Sequence, residues 1–267
     1  MNNPILLCVD RNPFGDMERL IATVAGLGFS GIEWLEPDAR ERWTDPDVAA
    51  VIRAAMRKHE LLCQYHAPYE DAFDLARDED GLRSPESVAL VLRHALDRAE
   101  RLGARLVNAH PGTCPPETDR AEALGSVMEG IRLALGDLEN RRIRLSLENN
   151  TEANFERALG DRPEDFDWLL ANIESPWVGQ NIDVGHANIG GRLDTFLGRS
   201  LDRLNDMHLH DNRGETDEHR PVGEGKIAWD RVFSRISAAC YHGPLVLEFL
   251  TDGEGYLRAI DKIRGYN

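Results

Sequence analysis

The strongest constraint on the fold of this chain is a rhythm. Short apolar or β-branched runs alternate with amphipathic helical patterns from one end to the other, as expected of repeated βα units around a parallel sheet. Eight runs read as strands: ILLCVD (5–10), GIEWLE (31–36), LLCQYHA (61–67), ARLVNAH (104–110), IRLSLEN (143–149), VGQNIDVGH (178–186), NDMHLHD (205–211) and PLVLEFL (244–250). Helical patterns follow them at about 15–28, 45–60, 84–103, 118–141, 162–174, 192–204, 228–241 and 254–264. Several begin at suitable caps: Asp45 before Pro46, Ser84 before Pro85, Thr118 ahead of Ala121 and Glu122, and Asp161 shortly before Pro163. Eight strands, each followed by a helix, make the count of a (β/α)8 TIM barrel. A doubly wound open sheet would show fewer units and a Gly-rich turn after its first strand, where this chain reads VDRNPFGD. With no linker or low-complexity tract, residues 1–267 are expected to form a single domain.

A barrel of this length buries enough apolar surface to need no disulfides. The four cysteines, Cys8, Cys63, Cys114 and Cys240, form no C-x-x-C pair, and three lie in or beside apolar runs. A cytoplasmic protein is expected, because Met1 leads straight into the run from Ile5 to Asp10 without a basic start or an export-length apolar stretch. No membrane association is expected either. The formal charge of −16 suits a small-molecule protein better than one that neutralises many phosphates with lysine and arginine, so nucleic acid is not the expected partner. Oligomeric state is left open.

In such a barrel the C-terminal ends of all strands open onto one face, so the informative residues are those that end each strand. The third strand ends in His66 (YHAPY), the fourth in His110 (NAHPG), the fifth in Glu148 (LSLENN), the sixth in Asp183 and His186 (NIDVGH), the seventh in His208 (MHLHD) and the eighth in Glu248 (VLEFL). The loop after the seventh strand adds Asp217 and His219. Any one of these residues alone is better read as a satisfied structural group. Together they resist that reading: Glu148, Asp183, Asp217 and Glu248 on one rim repel each other, and each unpaired buried ion costs several kcal/mol. No lysine or arginine lies within these strand ends. Two divalent cations would neutralise the four carboxylates, and mixed histidine and carboxylate donors suit zinc, manganese, iron or cobalt better than calcium or magnesium. Nine donors are too many for one ion and could fill two or three sites, so the expected content is between one and three ions. Of the other histidines, His59, His94 and His242 belong to helices. His210, taken as alternating with His208 along the strand, is expected to point away from the rim in a structural role.

The motifs H-A-P-Y, A-H-P-G, L-E-N, D-V-G-H, H-L-H-D-N, D-E-H and G-E-G, in this order across nearly the whole chain, resemble those of the xylose-isomerase-like TIM-barrel superfamily, which holds sugar isomerases and epimerases as well as endonuclease IV. The epimerase likeness implies Glu148, Asp183, His208 and Glu248 as ligands of one divalent metal, with His186 near substrate and the two glutamates moving protons. The endonuclease likeness implies three zinc ions held by the same four plus His66, His110, His186, Asp217 and His219.

The rim favours a carbohydrate over DNA. Where an enzyme acting on a duplex needs cations and apolar wedges, the loop after the third strand has Glu70 and Asp71 behind Tyr69. The loop after the second strand mixes Arg40 and Arg42 with Glu36, Asp38 and Glu41, and that after the eighth begins TDGEG. Against the ketose 3-epimerases, Arg213 stands one position early and the D-E-H element is inserted. The expected activity is a divalent-metal-dependent (zinc, manganese or cobalt) sugar or sugar-phosphate isomerase or epimerase acting through a metal-stabilised enediolate, with Glu148 and Glu248 as acid and base and His186 beside them. The alternatives are an endonuclease IV-like zinc-dependent phosphodiester hydrolase and a barrel that binds metal or sugar without turnover. Asn149 is a candidate to orient substrate or ligand; Trp34, Trp43, Trp177 and Phe249 are candidates to line a sugar pocket.

Overall fold

The computed structural model describes every residue except Met1, Pro37, Ala39, Glu41, Glu70, Asp71, Ser200 and Asn267. Eight strands among the described residues close a parallel barrel: β1 (Ile5–Val9), β2 (Gly31–Leu35), β3 (Leu62–His66), β6 (Leu106–Ala109), β7 (Arg144–Glu148), β8 (Val178–Asp183), β9 (Leu204–Leu209) and β10 (Leu245–Leu247). Closure is made by β1, which pairs with β2 on one side and β10 on the other. The remaining pair, β4 (Arg77–Asp78) and β5 (Gly81–Leu82), is a small hairpin in the loop after β3. Gly31 shows how tightly the strands pack at the base of the barrel. A Cβ there would sit 2.5 Å from the Leu62 carbonyl oxygen, so a hydrogen is all that fits.

Helices cover the outside: α1 (Met17–Gly26), α2 (Pro46–Lys58), α3 (Pro85–Leu102), α4 (Arg120–Arg141), α5 (Pro163–Ile173), α6 (Val184–Ile189), α7 (Leu193–Phe196), α8 (Trp229–Ala238) and α9 (Gly253–Gly265). Asp45 and Ser84 cap α2 and α3 as the sequence suggested, each accepting from backbone N–H groups of the first turn. At α4 the cap is Asp119 rather than Thr118, and at α5 it is Arg162, whose side chain makes no capping hydrogen bond. Asp161 instead binds Arg120 and Arg192. Two elements depart from expectation. The sixth strand stops at Asp183, whose carboxylate accepts from the His186 N–H at 2.6 Å and so starts α6 where an extended run to 186 was expected. The helix expected over 192–204 is broken into α7 and a 3₁₀ turn at Leu201–Arg203, with Gly198, a weak helix former, between them.

The main apolar core lies between the helices and the outer faces of the strands, and includes Leu7, Ile32, Tyr65, Val107, Leu147, Ile182, Leu209 and Leu247. Trp34 and Trp43 belong to it, their rings 5.6 Å apart, and neither is among the described residues lining the cavity at the barrel mouth. Inside the barrel, alternation puts residues two apart on the same face. Leu6, Cys8, Leu35 and Val246 form a small apolar patch there. The rest of the interior is polar and buried: Glu33, Gln64, Asn108, Ser146, Asn181 and Asp206 make a floor. On five of the strands the residue two positions further on is a candidate donor: His66, His110, Glu148, Asp183 and His208. The same spacing carries Val246 to Glu248. No helix among the described residues is long and apolar enough to cross a membrane.

Candidate metal centre at the barrel mouth

The donors arrive at the mouth by strand geometry. His66, Glu148 and Asp183 are the last residues of β3, β7 and β8; His110 and Glu248 follow directly after β6 and β10; His208 lies one residue inside the end of β9. His186 sits in the first turn of α6, and Asp217 and His219 come from the loop between β9 and α8. All nine residues expected from the sequence meet at this one end. Their donor atoms fall into groups, lying within 4.8 Å of one another in each: Glu148, Asp183, His208 and Glu248; His66, His110 and Glu148; and His186, Asp217 and His219 together with His210.

The chemistry of the donors fits divalent cations. His66 Nδ1 lies 2.7 Å from the Ala67 carbonyl oxygen, His186 Nδ1 3.0 Å from that of Asn149, and His219 Nδ1 2.6 Å from that of Glu248. A carbonyl only accepts, so in all three rings Nδ1 carries the proton, and the neutral ring presents a lone pair at Nε2. Each Nε2 faces a carboxylate: His66 is 3.1 Å from Glu148 Oε2, while His186 and His219 approach Asp217 Oδ2 at 3.2 and 3.1 Å. A lone pair and a carboxylate oxygen repel unless a proton or a cation lies between them. Without a cation the proton must serve. Burial opposes charge on His186, but Asp183 and Asp217 outweigh it and lift the imidazole well above its ordinary value. Against the same opposition from burial, the hydrogen bond to Asp217 and the charge of Glu248 lift His219 to about 9. His110 is the contrast: burial pushes it down to about 4, and neither ring nitrogen has a hydrogen-bond partner. It presents a neutral imidazole ready to bind. Glu148 Oε1, Asp183 Oδ2 and Asp217 Oδ1 are likewise buried carboxylate oxygens without a hydrogen bond. Buried acceptors of this kind are costly unless something electropositive meets them.

Surrounding residues hold the donors in place. Asn149, buried after Glu148, grips Asp183 from both sides: its Oδ1 accepts from Asp183 N–H at 2.8 Å and its Nδ2 donates to the Asp183 carbonyl at 3.0 Å. Glu148 Oε2 also accepts from the Asn108 amide, and Glu248 Oε1 accepts from Tyr69 Oη at 3.2 Å. His208 lies between two carboxylates, Nδ1 3.1 Å from Glu248 Oε2 and Nε2 2.9 Å from Glu33 Oε1. That is the arrangement by which a carboxylate behind an imidazole orients it toward a metal. Burial opposes charge on His208, but Glu148, Glu33 and Glu248 outweigh it and raise its pKa well above the ordinary value. Glu33, Asn108, Tyr69 and Asn154, whose Nδ2 donates to Asp217 Oδ2 at 2.8 Å, were not among the sequence-derived site residues. Glu33 was the most findable, as the acidic residue of an apolar strand, two positions below the rim.

His210 requires a correction. It does not point away: it is fully buried and joins the group of His186, Asp217 and His219. Residues two apart on a strand share a face, so His210 follows His208 inward.

Above the donors opens a cavity of about 670 Å³, its wall including Arg11, Tyr69, Asn150, Asn154, Phe155 and Phe249. Arg11 is the one lysine or arginine among its described lining residues, and Asp10 pairs with it at 2.8 and 2.9 Å. Of the aromatic candidates Phe249 lines this cavity; Trp177 does not. The acidic loop after β2 is compensated internally. Buried Glu36 accepts from the backbone N–H groups of Arg42, Trp43 and Thr44, and Asp38 pairs with Arg40. Glu41, Glu70 and Asp71 lie outside the described residues.

A closed parallel barrel whose successive strand ends bring histidine and carboxylate side chains into groups that could hold divalent metal ions is a TIM barrel with a candidate metal centre at its mouth. The chain belongs to the xylose isomerase-like TIM barrel family, whose model matches residues 21–266. It is 28% identical over 197 residues to the uncharacterized protein MJ1311 of Methanocaldococcus jannaschii, covering 72% of this chain and 65% of that protein, just under two thirds of its length. It is 27% identical over 229 residues to a probable endonuclease 4 of Thermoplasma acidophilum, covering 77% of this chain and 75% of that protein. Among solved structures, a D-tagatose 3-epimerase-like protein superposes with a TM-score of 0.83 at 23% identity, covering 98% of this chain and 96% of that one. Endonuclease IV from Thermus thermophilus superposes with a TM-score of 0.70 at 22% identity, covering 98% of each chain. At such identities the structural likeness is one of fold.

Proposed function

We propose that this chain is a divalent-metal-dependent isomerase or epimerase of a small carbohydrate or carbohydrate phosphate. The observation that carries the reading is the pairing of Glu148 and Glu248 in one donor group, beneath a cavity of about 670 Å³ whose described lining has one arginine and no lysine. Such a volume suits a small polar ligand, and a wall with Arg11 already paired to Asp10 is ill suited to a polyphosphate chain.

Glu148, Asp183, His208 and Glu248 would hold the ion, which when bound supplies Lewis acidity beside a substrate carbonyl. The protein's own part is proton handling. The charge of His208 and the hydrogen bonds with His208 and His66 hold the Glu148 carboxyl well below the usual carboxylate range in spite of burial, and His208 does the same for Glu248. Both are therefore ionised at neutral pH and able to accept a proton from the carbon between hydroxyl and carbonyl. The Tyr69 hydroxyl, donating to Glu248 Oε1, fixes the orientation of that carboxylate. Phe249 and Leu250 supply apolar wall beside the reacting carbon, and Asn150 and Asn154 offer amides to substrate hydroxyls.

One observation favours a second reading, a metal-dependent hydrolase. Glu148 belongs to two donor groups, the other completed by His66 and His110, and those residues would hold a further ion, which when bound would supply activation of water.

The test is incubation of metal-loaded protein in D2O with a panel of ketoses and their phosphates, beside a duplex containing an abasic site. Interconversion of a ketose with deuterium entering at carbon is expected. It should fall about 10²–10⁴-fold in Glu148→Gln and in Glu248→Gln, the range for loss of a general acid or base. Nicking of the duplex at sub-micromolar enzyme that disappears in Glu148→Gln would overturn the isomerase reading, and binding of sugar with neither reaction would leave a barrel without turnover.

A further inference from the structure

We infer that Asp74 is a positioning residue: its carboxylate ties the loop after β3, which carries Tyr69, to the segment 111–113 just beyond His110, and so sets where the His110 ring stands at the mouth. That ring needs such support. Neither of its nitrogens has a hydrogen-bond partner among the described residues. Its neighbours are other rings: Tyr69 at 5.2 Å between centroids, His66 at 5.6 Å and His186 at 6.1 Å. An imidazole at a metal centre is ordinarily oriented by a carboxylate or carbonyl at its second nitrogen. For His110 the orientation has to come from packing and from the main chain that carries it.

Asp74 acts on that main chain through one oxygen. Its Oδ1 accepts from the N–H groups of Ala76 and Arg77 at 2.8 and 3.0 Å, which folds its own loop, and from Thr113 N–H at 3.1 Å, which joins that loop to the one after β6. Arg83 steadies the arrangement from the start of α3: its Nε donates to the Asp74 carbonyl at 2.7 Å and its N–H to the Ala76 carbonyl at 2.9 Å. Gly112 shows how close the two loops run. At φ +99° it holds a conformation that side chains rarely adopt, and a Cβ there would overlap both Asp74 Oδ1 and the Ala76 nitrogen. The glycine of A-H-P-G is thus the point of contact. On the far side its carbonyl accepts from Leu159 N–H at 2.8 Å, so the segment is gripped between Asp74 and the loop after β7.

What the geometry uses is an acceptor rather than a charge. All three N–H groups converge on Oδ1, while Arg77 Nε stands 3.9 Å from Oδ2, beyond hydrogen-bond reach. Burial also raises the Asp74 carboxyl above its ordinary value against the pull of these bonds. Asparagine would keep Oδ1 and give up only the charge, whereas alanine would leave three N–H groups without their acceptor. The tie is independent of which reaction the mouth performs, and its test reads the His110 ring rather than turnover.

Nitrogen-15 spectra of the histidine rings are recorded at one fixed metal content for the full-length wild type, Asp74→Asn, Asp74→Ala and Gly112→Ala, together with hydrogen exchange at the Thr113 amide. Asp74→Asn should leave the His110 signals where they are. Asp74→Ala and Gly112→Ala should move or split them while those of His59, His94 and His242, away from the mouth, stay in place. Thr113 exchange should rise by about tenfold or more in Asp74→Ala, the size of one lost hydrogen bond. His110 signals unchanged in Asp74→Ala overturn the assignment, and so do signals moved as far by asparagine as by alanine. Should Asp74→Ala fold poorly, the wild type decides: its Thr113 amide should exchange slowly, as a bonded N–H does, and fast exchange refutes the tie.

Discussion

Asp211, buried directly after His210, receives four hydrogen bonds: Oδ1 from the N–H groups of Asn212 and Ile227 at 2.9 and 3.2 Å, and Oδ2 from Gly223 N–H at 2.9 Å and Trp229 Nε1 at 2.8 Å. It also exchanges both backbone hydrogen bonds with Arg220. The loop that delivers Asp217 and His219 is thus folded around one carboxylate that touches neither the cavity nor the donor groups. Removing it would leave several buried donors unmet, each costing about 1–3 kcal/mol. Asp211→Ala is expected to lose about 3 kcal/mol or more in urea denaturation and to lower metal content at the loop. A loss below about 1 kcal/mol, the level of an ordinary surface change, would show that the loop is held by other means. The residue also marks a limit of sequence reading. Its place in H-L-H-D-N is conspicuous, but a buried hub that accepts only from backbone and indole has the same letter as a metal ligand, and spacing alone cannot separate them.

At the level of elements the periodicity was the most legible signal, because a strand followed by an amphipathic helix repeats eight times and only one common architecture closes on that number. Ends were less legible. The run 178–186 reads as continuous strand, and only the bond from His186 N–H to the Asp183 carboxylate reveals that the chain turns helical at the donor itself. His66, His110, Glu148, Asp183, His208 and Glu248 were legible because strand ends converge whatever the loops do, whereas His186, Asp217 and His219 lie beyond the strands and were read from the motifs D-V-G-H and D-E-H. Glu33 was not, since a glutamate in an apolar strand reads as half of an ion pair until His208 is seen 2.9 Å away. Helix ends also offer a prediction. Arg142 caps α4 in the left-handed region, φ 54° and ψ 42°, with an exposed side chain. Glycine adopts that conformation without the Cβ penalty, so Arg142→Gly is expected to stabilise the protein by about 0.5–1 kcal/mol, the usual size of a relieved left-handed cap. A melting temperature that stays level or falls would refute this.

For the molecule as a whole, the mouth gathers buried carboxylates in a chain already carrying a formal charge of −16, so bound cations should stabilise the fold. A single site at a hundredfold excess of ion over Kd contributes about 2.7 kcal/mol, or about 5–10 °C for a chain of this length. Dialysis against a chelator is expected to lower Tm by at least that much, and zinc, cobalt or manganese should restore it. An unchanged Tm would mean that protons alone balance the site.

Because six adjacent staves of the barrel each bring at least one donor to the mouth, no fragment of the chain can assemble the whole set. A cation that needs the group of Glu148, Asp183, His208 and Glu248 would therefore settle only once the eighth stave has closed against the first, and a slipped or prematurely ended polypeptide would betray itself by leaving that group incomplete.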